Sequence, residues 1–200
     1  ADLIAFGRQS IADPELPNRA RDGQLETLAP CIGCLLGCVP NMFAGKPITC
    51  ALNPCAGRES ELTPAAVPKR VAVVGGGPAG LCAAINAARA GAGVTLLERS
   101  PRLGGQLVKQ THMFFGAKEQ YASTRGVDIA PILVDALNAY KDRVEVLTDT
   151  VCTGIYEDGV VTALYKEERY IKLKPKAIII AAGASEKNLA FINNDLPGIY

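Results

Sequence analysis

Apolar positions fall into two textures along the chain. From Arg70 onward they are regular. Val71-Ala72-Val73-Val74 is a continuous apolar run that predicts a buried strand, and Val94 to Leu97 predicts a second. Between them, Pro78 to Ala90 is rich in alanine and reads as a helix ended by Gly91 and Gly93. Strand, helix, strand in that order is a βαβ unit, and so a parallel sheet. Asp128 to Tyr140 places Ile129, Ile132, Leu133, Leu137 and Tyr140 at helical spacing. Short β-like runs follow at Val144–Leu147, Val151–Tyr156, Val160–Tyr165 and Tyr170–Leu173. They are expected to form a small antiparallel meander, with the alternating Lys172, Lys174 and Lys176 on the solvent face of a strand. Ala177 to Ala181 predicts one further buried strand, ended by Gly183.

Before Arg70 the texture is irregular. Leu3 to Phe6 is a short strand-like run followed by Gly7-Arg8, and Asp13-Pro14 and Leu16-Pro17 punctuate what comes next. Residues 28–64 are rich in Cys, Gly and Pro, with little periodicity. They predict a loop-rich segment held by something other than an apolar core. Glu59 to Lys69, with Pro64 and Pro68, reads as a linker. Three regions follow: 1–27, 28–64 and 65–200.

Composition narrows the function classes. With 200 residues, 48% hydrophobic and 20% charged, the chain is globular. Its 21 Lys and Arg balance 20 Asp and Glu, which excludes a charge-driven nucleic-acid arm. There is no apolar run of about 18 residues to cross a membrane and no signal peptide at ADLIAFGRQS. A cytoplasmic protein without nucleic-acid or membrane partners is expected. Starting in an apolar run without an initiator Met, the sequence reads as a fragment.

Seven cysteines change the picture: Cys31, Cys34, Cys38, Cys50, Cys55, Cys82 and Cys152. Five lie within 25 positions, and an odd total without a secretory signal argues against a disulfide framework. Cys31-x2-Cys34-x3-Cys38-x11-Cys50 is three crowded thiols plus one remote thiol. That spacing fits a four-iron cluster better than zinc, which more often takes two separated C-x2-C knuckles. The apolar neighbours Ile32, Leu35, Leu36, Val39 and Ile48 would exclude water, while Gly33 and Gly37 would leave backbone amides free to approach sulfide. Cys55 reads as a structural thiol, and Cys82 and Cys152 as small core residues.

Gly75-Gly76-Gly77-Pro78-Ala79-Gly80 gives G-x-G-x-x-G between a strand and a helix, and Glu98 ends the next strand 18 residues after Gly80. That is the context of a dinucleotide fingerprint. Gly75 permits the tight turn, Gly77 admits a pyrophosphate, and Gly80 lets helix and strand touch. The helix N-terminus, with Pro78 and Ala79, supplies amides and positive dipole. Glu98 can accept from both ribose hydroxyls of the bound nucleotide and would repel a 2′-phosphate. Gly104-Gly105-Gln106 is expected to pass the backbone close to the cofactor. His112, the single histidine, is read as a packing or hydrogen-bonding residue beside the flavin ring, with a catalytic role as the alternative. The Ala181-Ala182-Gly183 strand end, about 100 residues on, would lead out of a flavin domain towards Leu196–Tyr200. No side chain stands out as a general acid or base.

Taken together, these motifs resemble the multidomain iron–sulfur flavoproteins of the 2,4-dienoyl-CoA reductase and trimethylamine dehydrogenase group. GRQSIADPELPNRARDG is similar to the end of their FMN-binding barrel, CIGCLLGC…CALNP to their cluster segment, and VAVVGGGPAG…LLER…GGQL to their FAD-binding part. The resemblance covers essentially the whole chain. It implies an α/β architecture: the end of a TIM-type barrel over 1–27, a cluster segment over 28–64, and the first part of a Rossmann-like FAD domain over 65–200. It places Gly7 and Arg8 on the FMN phosphate and Cys31, Cys34, Cys38 and Cys50 on a [4Fe–4S] cluster. FAD falls on Gly75, Gly77, Pro78, Ala79, Gly80, Glu98, Arg99, Gly105, Gln106, Ala182 and Gly183. The implied activity is an electron relay from NAD(P)H through FAD, cluster and FMN to an enoyl or dienoyl substrate held by a barrel. A homo-oligomer stays open. So do two other readings of the same residues: a non-catalytic ADP-binding domain, and a zinc-stapled NAD-binding protein.

Overall fold

The computed structural model describes residues 4–61, 65–114, 121–184, 189–194 and 196–198, the side chain of Glu26 excepted. The chain divides into two compact units, Ala1–Ala65 and Ala66–Tyr200.

The first unit holds three short helices, α1 (Arg8–Ala12), α2 (Leu16–Arg21) and α3 (Val39–Phe43), and a 3-10 turn over Leu25–Thr27. Pro17 and Pro40 sit in the first turns of α2 and α3, where a missing N–H costs nothing. Ile4–Phe6 pair with no strand, contrary to the strand expected at Leu3–Phe6; Leu3 lies outside the described residues. An extended segment needs a ladder partner, and the regular elements of this unit are all helical. Among its described residues only Ala12 and Ala56 are buried apolar side chains. Hydrogen bonds carry the load instead, and α1 is their hub. Gln9 Nε2 donates to Ala29 O at 3.1 Å and Gln9 Oε1 accepts from Cys31 N at 2.7 Å. The buried Asp13 accepts from Ala29 N at 3.0 Å, and Asn53 Nδ2 donates to Ile11 O at 2.9 Å.

The second unit is a three-layer α/β structure. β1 (Arg70–Val74), β2 (Gly93–Leu97), β3 (Val144–Leu147) and β7 (Ala177–Ile180) form a parallel sheet in the order β3-β2-β1-β7. β4 (Thr150–Ile155), β5 (Val161–Tyr165) and β6 (Arg169–Leu173) form the antiparallel meander. α4 (Pro78–Arg89) and α5 (Gly126–Asn138) cover the other face.

The strand period of two sorts the core. Val73, Val94 and Leu96 pack with Leu81, Ala84 and Ile85 of α4 and Ile129, Leu133 and Leu137 of α5. Ala72, Val74 and Leu97 point the other way, onto Val161 and Ala163. Coverage on both faces is why Val71–Val74 of β1 reads as an unbroken apolar run and Val94–Leu97 of β2 as one broken only by Thr95.

Val144–Leu147 does not belong to the meander. It pairs in parallel with β2, Val144 opposite Val94 and Leu147 opposite Leu97. As the sheet's edge it exposes Glu145 and Val146, and that exposure produced the alternating look of an antiparallel strand.

Candidate functional site

The turn between β1 and α4 is built from close backbone approaches. Gly75 has φ +107°, and a Cβ there would lie 2.3 Å from Ala181 O. A Cβ on Gly80 would lie 1.8 Å from Gly75 O, so helix and turn touch directly. Gly77 differs. Its backbone is extended (φ −75°, ψ −177°), and a Cβ there would meet nothing nearer than Gly105 Cα at 3.8 Å. The space in front of Gly77 is therefore open. Pro78 has no N–H, and the amides of Gly77, Ala79 and Gly80 find no acceptor among the described residues; Leu81 N, donating to Gly77 O at 2.9 Å, begins the helical ladder. Open space before two orphan first-turn amides is an anion cradle.

Glu98, Gly105 and the Ala181–Ala182 strand end converge on this turn. Glu98 is buried at the end of β2, with Oε2 accepting from Gly76 N at 2.6 Å and Oε1 from Ser100 N at 2.7 Å. Arg99 is exposed beside it. Gly104 N donates to Gly76 O at 2.8 Å with φ +113°, and a Cβ on Gly105 would lie 2.7 Å from Gly77 Cα. The Gly104-Gly105 pair therefore packs against the glycine turn itself and leads into a 3-10 helix, Gly105–Lys109, with Gln106 exposed. Ala182 and Gly183 are exposed after β7, on the segment whose Ala181 O crowds Gly75. His112 is exposed, its ring 4.9 Å from that of Phe114. Phe115 and Gly116 and, at the chain's end, Ile199 and Tyr200 lie outside the described residues.

In the first unit, Cys31, Cys34, Cys38 and Cys50 all line one pocket, together with Arg8. Thr49 N donates to Gly37 O at 3.1 Å, and a Cβ on Gly37 would strike Thr49 Oγ1 at 2.2 Å. Gly37 is thus small so that the Cys38 and Cys50 limbs can meet, and its carbonyl, not its amide, makes the bond between them. Leu52 N donates to Cys50 Sγ at 3.4 Å. No group of three or more described His, Cys, Asp and Glu side chains is arranged to hold one metal ion. Ile32 and Leu35 line the pocket yet are 64% and 42% exposed, and Leu36 is 76% exposed, so these neighbours do not seal it within this chain as expected. Gly7 precedes α1 and Arg8 opens it.

One further difference bears on the cysteines. Cys82 is exposed, not a core residue, because it lies one position off the buried stripe Leu81, Ala84, Ile85 and Ala88 of α4. Cys152 packs against the meander-side core as expected. Gln9, Asp13 and Asn53, which tie α1 to both ends of the cysteine segment, gave no signal in the sequence. Their partners lie 16 to 42 residues away and follow no local spacing.

A family model described as FAD dependent oxidoreductase matches residues 70–179. A metal reductase of Desulforamulus reducens is 48% identical over 110 residues, 54% of this chain and 16% of that protein. An NADH oxidase of Thermoanaerobacter brockii is 49% identical over 111 residues, 54% of this chain and 17% of that protein. Among solved structures, L-proline dehydrogenase from P. horikoshii superposes with a TM-score of 0.56 at 27% identity, covering 66% of this chain and 26% of that one. The aligned stretch thus spans about a sixth of these two relatives' length.

Proposed function

This chain belongs to the FAD dependent oxidoreductase family, and we propose that it is the central redox segment of a longer flavoprotein, holding FAD on its second unit and a [4Fe–4S] cluster on its first. The observation that carries the FAD assignment is the open cradle at Gly77, bounded by crowded Gly75 and Gly80. The amides of Gly77, Ala79 and Gly80 would bind the pyrophosphate, Pro78 fixing the first turn they belong to. Glu98, already oriented by Gly76 and Ser100, keeps lone pairs for the ribose hydroxyls. Arg99 would flank the adenosine. Gly105, Gln106, Ala182 and Gly183 would border the path towards the ring. FAD, when bound, supplies the exchange between two-electron hydride transfer and single-electron transfer.

The four thiols around one pocket support the cluster. A zinc ion, with Zn–S bonds of about 2.3 Å in a tetrahedron, requires its thiolates in mutual contact. Here four cysteines line one pocket, and their three-plus-one spacing along the chain favours a multi-iron body over zinc. Gly7 and Arg8 would give an FMN phosphate an amide and a guanidinium. For the whole protein we propose the order NAD(P)H, FAD, cluster, FMN and an enoyl-type substrate, in the cytoplasm, with residues of this chain serving the middle of that order. Oxygen-free purification of the protein, followed by iron, zinc and released-flavin analysis, tests this. About four irons with FAD are expected; zinc, or ADP in place of FAD, overturns it.

A further inference from the structure

We propose that Arg8 is the counter-charge of the thiol pocket and makes one-electron reduction of the cluster held there easier. The inference rests on the cluster reading above and adds a residue to it. Arg8 lines the same pocket as Cys31, Cys34, Cys38 and Cys50, and among the described lining residues it is the one cation. It forms no ion pair with the described carboxylates, so within the described residues no carboxylate offsets its charge. Its place is not accidental. The next residue, Gln9, is bonded through both side-chain atoms to Ala29 O and Cys31 N, and Ile11 O, one turn along, accepts from Asn53 Nδ2. The helix that begins with Arg8 is therefore tied to both ends of the cysteine segment.

Each electron taken up by the cluster, with no proton, adds one negative charge to the pocket. A guanidinium at the rim favours the more negative state, and net charge is one of the quantities that set the potential of a thiolate-held cluster. A phosphate drawn to the same guanidinium would compete for its charge, so the two sites would be felt by one another through Arg8.

The test is a mediated dithionite titration of the anaerobic full-length protein, following the cluster by electron paramagnetic resonance in wild type, Arg8→Met and Arg8→Lys. A lower cluster midpoint in the Met variant, with the Lys variant close to wild type, is expected. Loss of the cluster in the Met variant, which leaves no midpoint to compare, assigns Arg8 a structural role and overturns the tuning. Equal midpoints in all three, or equal loss in both variants, overturns the proposal. A wild-type protein with no cluster signal overturns the cluster assignment itself and is recognised before any variant is compared.

Discussion

Gly76 donates its amide to Glu98 Oε2 at 2.6 Å, joining the glycine turn to the end of β2 across 22 residues of sequence. The other carboxylate oxygen accepts from Ser100 N. Both bonds point inward, so the carboxylate is fixed before any ligand arrives. A carboxylate has about four lone-pair sites, leaving capacity for hydroxyls on its remaining side. One residue thus sets the shape of the turn and the orientation of the acceptor offered to a ribose.

Glu98→Gln is expected to cost more than a surface change. Whichever way the amide is turned, one NH2 faces a backbone N–H, and one charge-assisted bond is lost. A loss of about 1.5–3 kcal/mol follows from typical values for bonds to charged groups. Thermal unfolding of the protein with and without added FAD would register it. A drop in stability together with weaker FAD retention supports the double role, and an unchanged melting temperature refutes it.

Asp158 is a carboxyl whose own titration the fold shifts. Its carboxyl is held below the usual range by the hydrogen bond from Lys174 Nζ at 3.0 Å and then by the Val160 amide. A carboxylate with a depressed folded pKa stabilises the fold above its unfolded value and loses that contribution as pH falls through the folded one. Lys174→Met is expected to return the Asp158 titration, followed by carboxyl chemical shifts, towards that of an ordinary aspartate. Both partners are well exposed, so the melting temperature at neutral pH should scarcely move.

Reading the sequence recovered the parts whose chemistry is local. The Gly75–Gly80 turn, the strands flanking it and Glu98 are fixed by backbone demands that only certain residues meet at certain spacings. Leu3–Phe6 and Val144–Leu147 failed for the opposite reason. A short apolar run does not say which strand, if any, will pair with it; β3 was claimed by β2 in parallel because α5 returns the chain to that edge. Cys82 was misjudged by residue type, when its phase on α4 decides its exposure. The α1 clamp was invisible because Gln9, Asp13 and Asn53 act through long-range hydrogen bonds that follow no local spacing.

The cysteines divide into two groups with separable tests. Cys34 lines the pocket with Cys31, Cys38 and Cys50, while Cys55 is not among the lining residues and Cys82 is an exposed thiol on α4. Cys34→Ser is expected to abolish bound iron, while Cys55→Ser and Cys82→Ser retain it. FAD content should survive in all three, since the FAD cradle lies wholly within residues 75–183. Parallel iron and flavin analysis decides the matter. Loss of FAD along with iron in Cys34→Ser would show the first unit to be needed for the second to hold its cofactor.

The sharpest separation of fold from binding comes from two neighbouring glycines. At Gly80 an added methyl would meet the Gly75 backbone at 1.8 Å, and neither α4 nor the turn can yield without breaking the β1–α4 contact. Gly80→Ala should therefore destabilise the unit, on the order of 3 kcal/mol, and lose FAD as a consequence. At Gly77 the backbone is in a region open to any L-residue, and the nearest protein atom is 3.8 Å away. Gly77→Ala should leave the unfolding temperature of the FAD-free protein unchanged. Its methyl would nevertheless occupy the space before the orphan amides, so FAD binding should fall by about 100-fold or more, an energy of roughly 3 kcal/mol. Calorimetric unfolding of both variants, paired with flavin titration, distinguishes the two cases. If Gly77→Ala binds FAD as wild type does, the cradle is not where the pyrophosphate lies.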